Sequence, residues 1–88
     1  MVEASALFGN KHIVIVTVTI DARGLLCPLP VLRARKSMKT LNIGETLEIL
    51  ATDNGSVVDF AAYCKATGDE LVEASEMGGE FRFLIRKT

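Results

Sequence analysis

The segment Cys27-Pro28-Leu29-Pro30 constrains this chain more than any other stretch. Two prolines close behind a cysteine fix the local backbone. Proline suits a first helical position, because its missing N–H would have had no partner there, and a second proline within the first turn is still tolerated. The spacing predicts a helix from Pro28 to about Thr40, with Cys27 at its N-terminal end. A thiol so placed feels unpaired N–H groups and the positive end of the helix dipole, and both favour thiolate. That interaction is typically worth ~0.3–1 kcal/mol, so Cys27 reads as a moderately activated nucleophile.

The rest of the pattern surrounds that junction. His12 to Ile20 alternates as a strand, with Val14, Val16, Val18 and Ile20 on one face and Ile13, Ile15, Thr17 and Thr19 on the other. The second face is half apolar and leaves room for cover by the N-terminal arm or a partner. Asp21 to Leu26 reads as a loop, with Gly24 supplying backbone freedom. In the first helix, Val31, Ala34, Met38 and Leu41 follow a helical period. Thr46 to Ala51 is a second strand. Asp53-Asn54-Gly55-Ser56 opens a second helix that Asp53 or Ser56 caps, with Val57, Phe60, Ala61 and Cys64 as its buried stripe and Gly68 as its C-cap. Glu70 to Arg86 reads as a hairpin turning at Gly78-Gly79. The order β-α-β-α-β-β predicts an α+β two-layer sandwich: two helices on one face of a mixed four-stranded sheet. Residues 1–11 read as an N-terminal extension and residues 12–88 as one domain.

Composition narrows the function. At 49 % apolar residues the chain can build a core, and its formal charge of −1 gives no global field for nucleic acid or lipid. No apolar run approaches a membrane span, and the first residues do not form a secretory signal. Two cysteines are too few for a disulfide framework. His12 lies far from both of them and there is no CxxC, so neither a metal nor another cofactor is expected, and a cytoplasmic location is the simplest reading. The near-neutral total hides an asymmetry. Arg23, Arg33, Arg35, Lys36 and Lys39 fall between Ala22 and Gly44 with no acidic residue among them, whereas residues 45–81 carry Lys65 amid many carboxylates. Arg33, Lys36 and Lys39 are candidates for binding acidic partner surfaces; a solvated helix face is the plainer alternative. Cys64 falls on an apolar stripe and reads as structural. His12 reads as an edge or exposed residue, so no base accompanies Cys27. A nucleophile without base or cofactor motif suits an exchanging or carrying thiol better than a hydrolase.

Asp21-Ala22-Arg23-Gly24-Leu25-Leu26-Cys27-Pro28-Leu29-Pro30 resembles the signature of the TusA/SirA-like small sulfur carriers. The resemblance continues through Gly44-Glu45-Thr46-Leu47, Ala51-Thr52-Asp53, Gly55-Ser56, Asp59-Phe60, Cys64, Thr67-Gly68 and Glu70-Leu71, and covers roughly residues 14–86. It implies a fold like the C-terminal domain of translation initiation factor 3. It also implies a persulfide on Cys27, loaded by a cysteine desulfurase or rhodanese-like donor and unloaded onto a downstream relay protein. The products served would be tRNA thiolation, cofactor sulfuration or sulfur oxidation. Asp21, Arg23, Gly24, Pro28 and Pro30 then shape the cysteine's surroundings. Gly68-Asp69-Glu70 departs from the family, where many relatives have a histidine before the glutamate.

Two other classes compete with a sulfur carrier. A regulatory or binding module would use the same surface with Cys27 in a structural or redox-sensing role. Direct RNA binding would rest on the bases of the first helix alone, and the missing stacking platform argues against it. A monomer or a weak dimer is expected.

Overall fold

The computed structural model describes residues 15–88. The extension 1–11, His12 and the start of the expected first strand lie outside the described residues. The elements are β1 (Val16–Ala22), α1 (Leu29–Met38), β2 (Thr46–Ala51), α2 (Ser56–Thr67), β3 (Glu70–Met77) and β4 (Glu80–Arg86). They form a four-stranded sheet in the order β1-β2-β4-β3. The β1–β2 pair is parallel, and β2–β4 and β3–β4 are antiparallel, which makes the sheet mixed. The β-α-β-α-β-β sandwich expected from the sequence is the observed fold.

Alternation explains the strands. Ile20 and Ala22, Leu47, Ile49 and Ala51, and Phe83 and Ile85 are buried on the inner face. The helices close that face with Pro30, Ala34 and Met38 from α1 and Phe60 and Cys64 from α2. The rings of Phe60 and Phe83 meet with centroids 4.6 Å apart and planes tilted by 31°. Each is wholly buried, and burial of such a side chain is worth about 1.5–3 kcal/mol. The outer face carries the buried Leu84 beside polar pairs: Thr19 Oγ1 donates to Glu48 Oε1 at 2.8 Å, and Arg82 pairs with both Glu48 and Glu73.

Several boundaries differ from the sequence reading. Asp21 and Ala22 belong to β1, because parallel pairing continues to Leu50 and Ala51 on β2. Helix α1 ends at Met38, where the Lys87 ammonium donates to the carbonyls of Met38 (3.0 Å) and Leu41 (2.8 Å). Neither Asp53 nor Ser56 caps α2: Gly55 is the N-cap, and the Asp53 side chain is used elsewhere. The buried stripe of α2 is Ser56, Phe60 and Cys64, and Val57 and Ala61 turn outward. As expected, Gly68 takes a left-handed C-cap (φ 84°) and donates to Cys64 O at 2.9 Å. Gly78 (φ 60°) and Gly79 (φ 85°) form the hairpin turn, whose two left-handed residues suit the strand twist. No helix among the described residues is long and apolar enough to cross a membrane.

Candidate functional site

The last rung of the parallel β1–β2 ladder pairs Ala22 with Ala51. Both strands run the same way, so the loops that follow them, residues 23–28 and 52–55, leave the sheet at one edge. This is where open α/β sheets usually place their chemistry. Two hydrogen bonds join the loops. The N–H of Gly24, in the left-handed region at φ 84°, donates to Thr52 Oγ1 at 2.9 Å. The N–H of Cys27 donates to Asp53 Oδ2 at 2.8 Å.

Cys27 is half-buried and free. Its Sγ donates to Asp59 Oδ2, one turn inside α2. Gly55 makes room for the sulfur: a Cβ there would lie 3.3 Å from Cys27 Sγ and 3.4 Å from Asp53 Oδ2. Close approach, rather than an unusual φ, is what this position requires, since its φ is −68°.

The expected activation of the thiol by α1 is not what the structure holds. Pro28 is the N-cap of α1, the N–H of Leu29 is taken by Leu26 O at 2.9 Å, and Pro30 has no N–H to offer. The sulfur faces carboxylates instead. The hydrogen bond to Asp59, then burial, then Asp53 push the Cys27 thiol up to about 12. A neighbouring negative charge disfavours a second one, and a hydrogen bond donated by the thiol holds the neutral form. Together they outweigh a helix-end interaction of ~0.3–1 kcal/mol. Asp53 itself is held below the usual carboxylate range, chiefly by the Cys27 N–H.

The supporting residues are distributed as follows. Asp21 and Arg23 form a two-pronged pair, Nε to Oδ1 at 2.8 Å and Nη2 to Oδ2 at 2.9 Å, and Arg23 also reaches Glu80 at 3.5 Å. Arg23 holds the Asp21 carboxyl down at about 2. The guanidinium thus shapes the loop, and its charge is matched by two carboxylates. Pro30 is fully buried on the inner face of α1. Arg33 and Lys36 are exposed and line a shallow depression with Thr19 and Asp21, and Lys39 is exposed at the C-cap of α1. Cys64 sits in the core, where burial pushes its thiol up to about 11. Among the described residues, no cluster of histidine, cysteine and carboxylate side chains could hold a metal ion.

Sequence reading missed four participants: Thr52, Asp53 as an anchor, Gly55 and Asp59. It also passed over Arg35, which lines a groove of ≈ 390 Å³ between α1 and α2 together with Pro28, Val31, Asp59 and Tyr63. The helical spacing of Pro28, Val31 and Arg35 was the available signal for that groove. Around the thiol, Leu26 and Val58 are each 71 % exposed, and Leu29 and Leu32 are about half exposed. An exposed apolar rim of this kind is characteristic of surfaces that contact other proteins.

Comparison with known proteins agrees with the fold. Residues 18–87 match the family model described as sulfurtransferase TusA. The sulfur carrier protein TusA of Allochromatium vinosum is 54 % identical over 69 residues, covering 78 % of this chain and 91 % of that protein. A putative sulfur carrier protein of Neisseria meningitidis serogroup B is 46 % identical over 68 residues, covering 77 % of this chain and 92 % of that protein. The crystal structure of a SirA-like protein from Desulfitobacterium hafniense superposes with a TM-score of 0.73 at 29 % identity, covering 80 % of this chain and 96 % of that one. A half-buried free cysteine between two tied loops, on this fold and with these relatives, leads to one assignment: the chain belongs to the TusA family of sulfur carriers.

Proposed function

We propose that the protein carries sulfur as a persulfide on Cys27 and relays it between two partner proteins. The observation that carries this reading is the position of Cys27: half-buried, unpaired, and at the junction of the two loops that follow the parallel strands. Cys27 attacks the outer sulfur of a donor persulfide. The new S–S bond forms as the donor's S–S bond breaks, and the donor leaves as a thiolate that takes up a proton. An acceptor thiolate then attacks the outer sulfur on Cys27 and restores the free thiol. No oxidant or reductant is consumed in either half.

The donor is a cysteine desulfurase or rhodanese-like protein, and the acceptor is a relay protein with a reactive cysteine, both in the cytoplasm. The end use is tRNA thiolation, cofactor sulfuration or sulfur oxidation. Arg33, Lys36 and Lys39 attract acidic partner surfaces and speed encounter more than they deepen affinity. Asp21, Arg23 and Gly24 keep the loop in the shape that presents the thiol, and Pro28 and Pro30 fix the entry into α1. The test is sulfane-sulfur loading. After incubation with a cysteine desulfurase and cysteine, and removal of both, cyanide should release thiocyanate from the wild type and none from Cys27→Ser. Equal release from both would refute the assignment.

A further inference from the structure

The contact between Cys27 and Asp59 has the wrong polarity for an ordinary activated cysteine. Activated thiols sit beside cations or helix N-termini. Here the sulfur donates its hydrogen to a carboxylate oxygen on α2, and the turn bearing that carboxylate is fixed by the Asp59 N–H to Gly55 O bond at 3.1 Å. Gly55 lets the two groups close up, since any side chain there would crowd the sulfur. From the β2–α2 loop, Asp53 contributes a second carboxylate bound to the Cys27 amide. From α1, the charged side chain sharing the groove with Asp59 is Arg35. Arg23, the nearest base in sequence, is engaged by Asp21 and Glu80.

We propose that Asp59 is a brake on Cys27: its carboxylate keeps the proton on the sulfur in the free protein, and neutralising or withdrawing that carboxylate releases the nucleophile. The upward shift of the thiol, with Asp59 as its largest cause, agrees with this geometry. The proposal rests on the carrier reading and adds its regulation. A protein that must give sulfur only to a docked partner benefits from a thiol that is slow toward stray electrophiles when alone. Release moves the proton from Cys27 to solvent and leaves a thiolate whose electron pair attacks the incoming sulfur. Asp59 is thus a positioning residue that acts through the cysteine's proton.

The test is the pH dependence of alkylation by iodoacetamide, scored at Cys27 by peptide mapping so that Cys64 does not contribute. Asp59→Asn and Asp59→Ala should each lower the midpoint by about one unit or more, which makes Cys27 react ~10-fold faster or more near neutral pH. An unchanged midpoint in folded variants would reduce Asp59 to a structural contact and overturn the proposal. Slower alkylation would make the carboxylate a base and overturn it equally. Should both variants unfold, the wild type decides: its folded Cys27 must titrate above the same cysteine in urea, and a midpoint at or below the unfolded value rejects the brake. Iodoacetamide delivers no sulfur. A shifted midpoint with no sulfane-sulfur loading would therefore sink the carrier reading alone, and loading without a shift would sink the brake alone.

Discussion

The backbone N–H of Cys27 and the carboxylate of Asp53 are joined by a 2.8 Å hydrogen bond across 26 residues of sequence. The bond exists because parallel pairing carries β1 and β2 to the same edge, where Ala22 faces Ala51. It ties the loop that holds the sulfur to the loop that opens α2. Asp53 is consequently an anchor for the site rather than a helix cap. Substituting it with asparagine should weaken the tie without touching the core. The check is hydrogen exchange: the Cys27 amide should exchange faster in Asp53→Asn, while amides of β2 and β4 keep their protection. Equal protection of Cys27 in both proteins would contradict the anchor.

The same carboxylates make the fold sensitive to acid. Asp53 is depressed mainly by the Cys27 N–H, and Asp21 is depressed to about 2 mainly by the Arg23 side chain. A carboxyl lowered on folding stabilises the native state above its unfolded value, and that contribution disappears as pH falls through the folded value. Stability should therefore decline as pH falls from about 4, the ordinary aspartate value, toward about 2, where Asp21 takes up its proton. Urea midpoints measured across that range check the direction. In Asp53→Asn the decline should be shallower. A midpoint that rises on acidification would contradict both assignments.

Much of the fold was legible in the sequence, and the site was legible only in part. Thr46–Ala51 announces itself because Leu47 and Ile49 alternate with Glu48 and Leu50, and Gly78-Gly79 announces the hairpin because both positions need positive φ. The stripe of α2 was ambiguous. A helical period through Phe60 and Cys64 accepts either Val57 or Ser56 as its first member, and packing chose Ser56, turning Val57 outward. The electrostatics of Cys27 were hidden for another reason. The residues near it in sequence are basic, but Arg23 is matched by Asp21 and Glu80, and the acidic half of the chain supplies Asp53 and Asp59 to the sulfur. Which charges meet depends on the strand register, and no local pattern records that.

Gly55 separates stability from reactivity. Its φ of −68° is open to any residue, so Gly55→Ala carries no backbone strain. Loss of a favourable N-cap residue is offset by a less flexible unfolded chain, and the net change in stability should stay within about 1 kcal/mol. The added methyl, however, would stand 3.3 Å from Cys27 Sγ, closer than the sulfur tolerates without moving. The pH midpoint of Cys27 alkylation in Gly55→Ala should fall, because the displaced sulfur leaves the Asp59 carboxylate, while its melting temperature changes little. A variant with the wild-type midpoint would show that the sulfur position is not critical.

Lys87 offers the converse case. Its ammonium donates to the Met38 and Leu41 carbonyls at the end of α1, far along the helix from Cys27. Charge-assisted bonds at a helix C-terminus oppose the negative end of the dipole and satisfy carbonyls that lack intrahelical partners. Lys87→Met should destabilise the protein by about 1–2 kcal/mol in urea titrations. The pH midpoint of Cys27 alkylation should not move. A shift in that midpoint would mean that the two ends of α1 are coupled.

The central claim is that Cys27 is the atom on which sulfur travels. Intact mass measurement after incubation with a cysteine desulfurase and cysteine tests it most directly, with wild type, Cys27→Ser and Cys64→Ser compared. Wild type and Cys64→Ser should each gain the mass of one sulfur atom, and a thiol reductant should remove it, while Cys27→Ser stays at its starting mass. A persistent sulfur adduct on Cys27→Ser, or none on the wild type, would contradict the account.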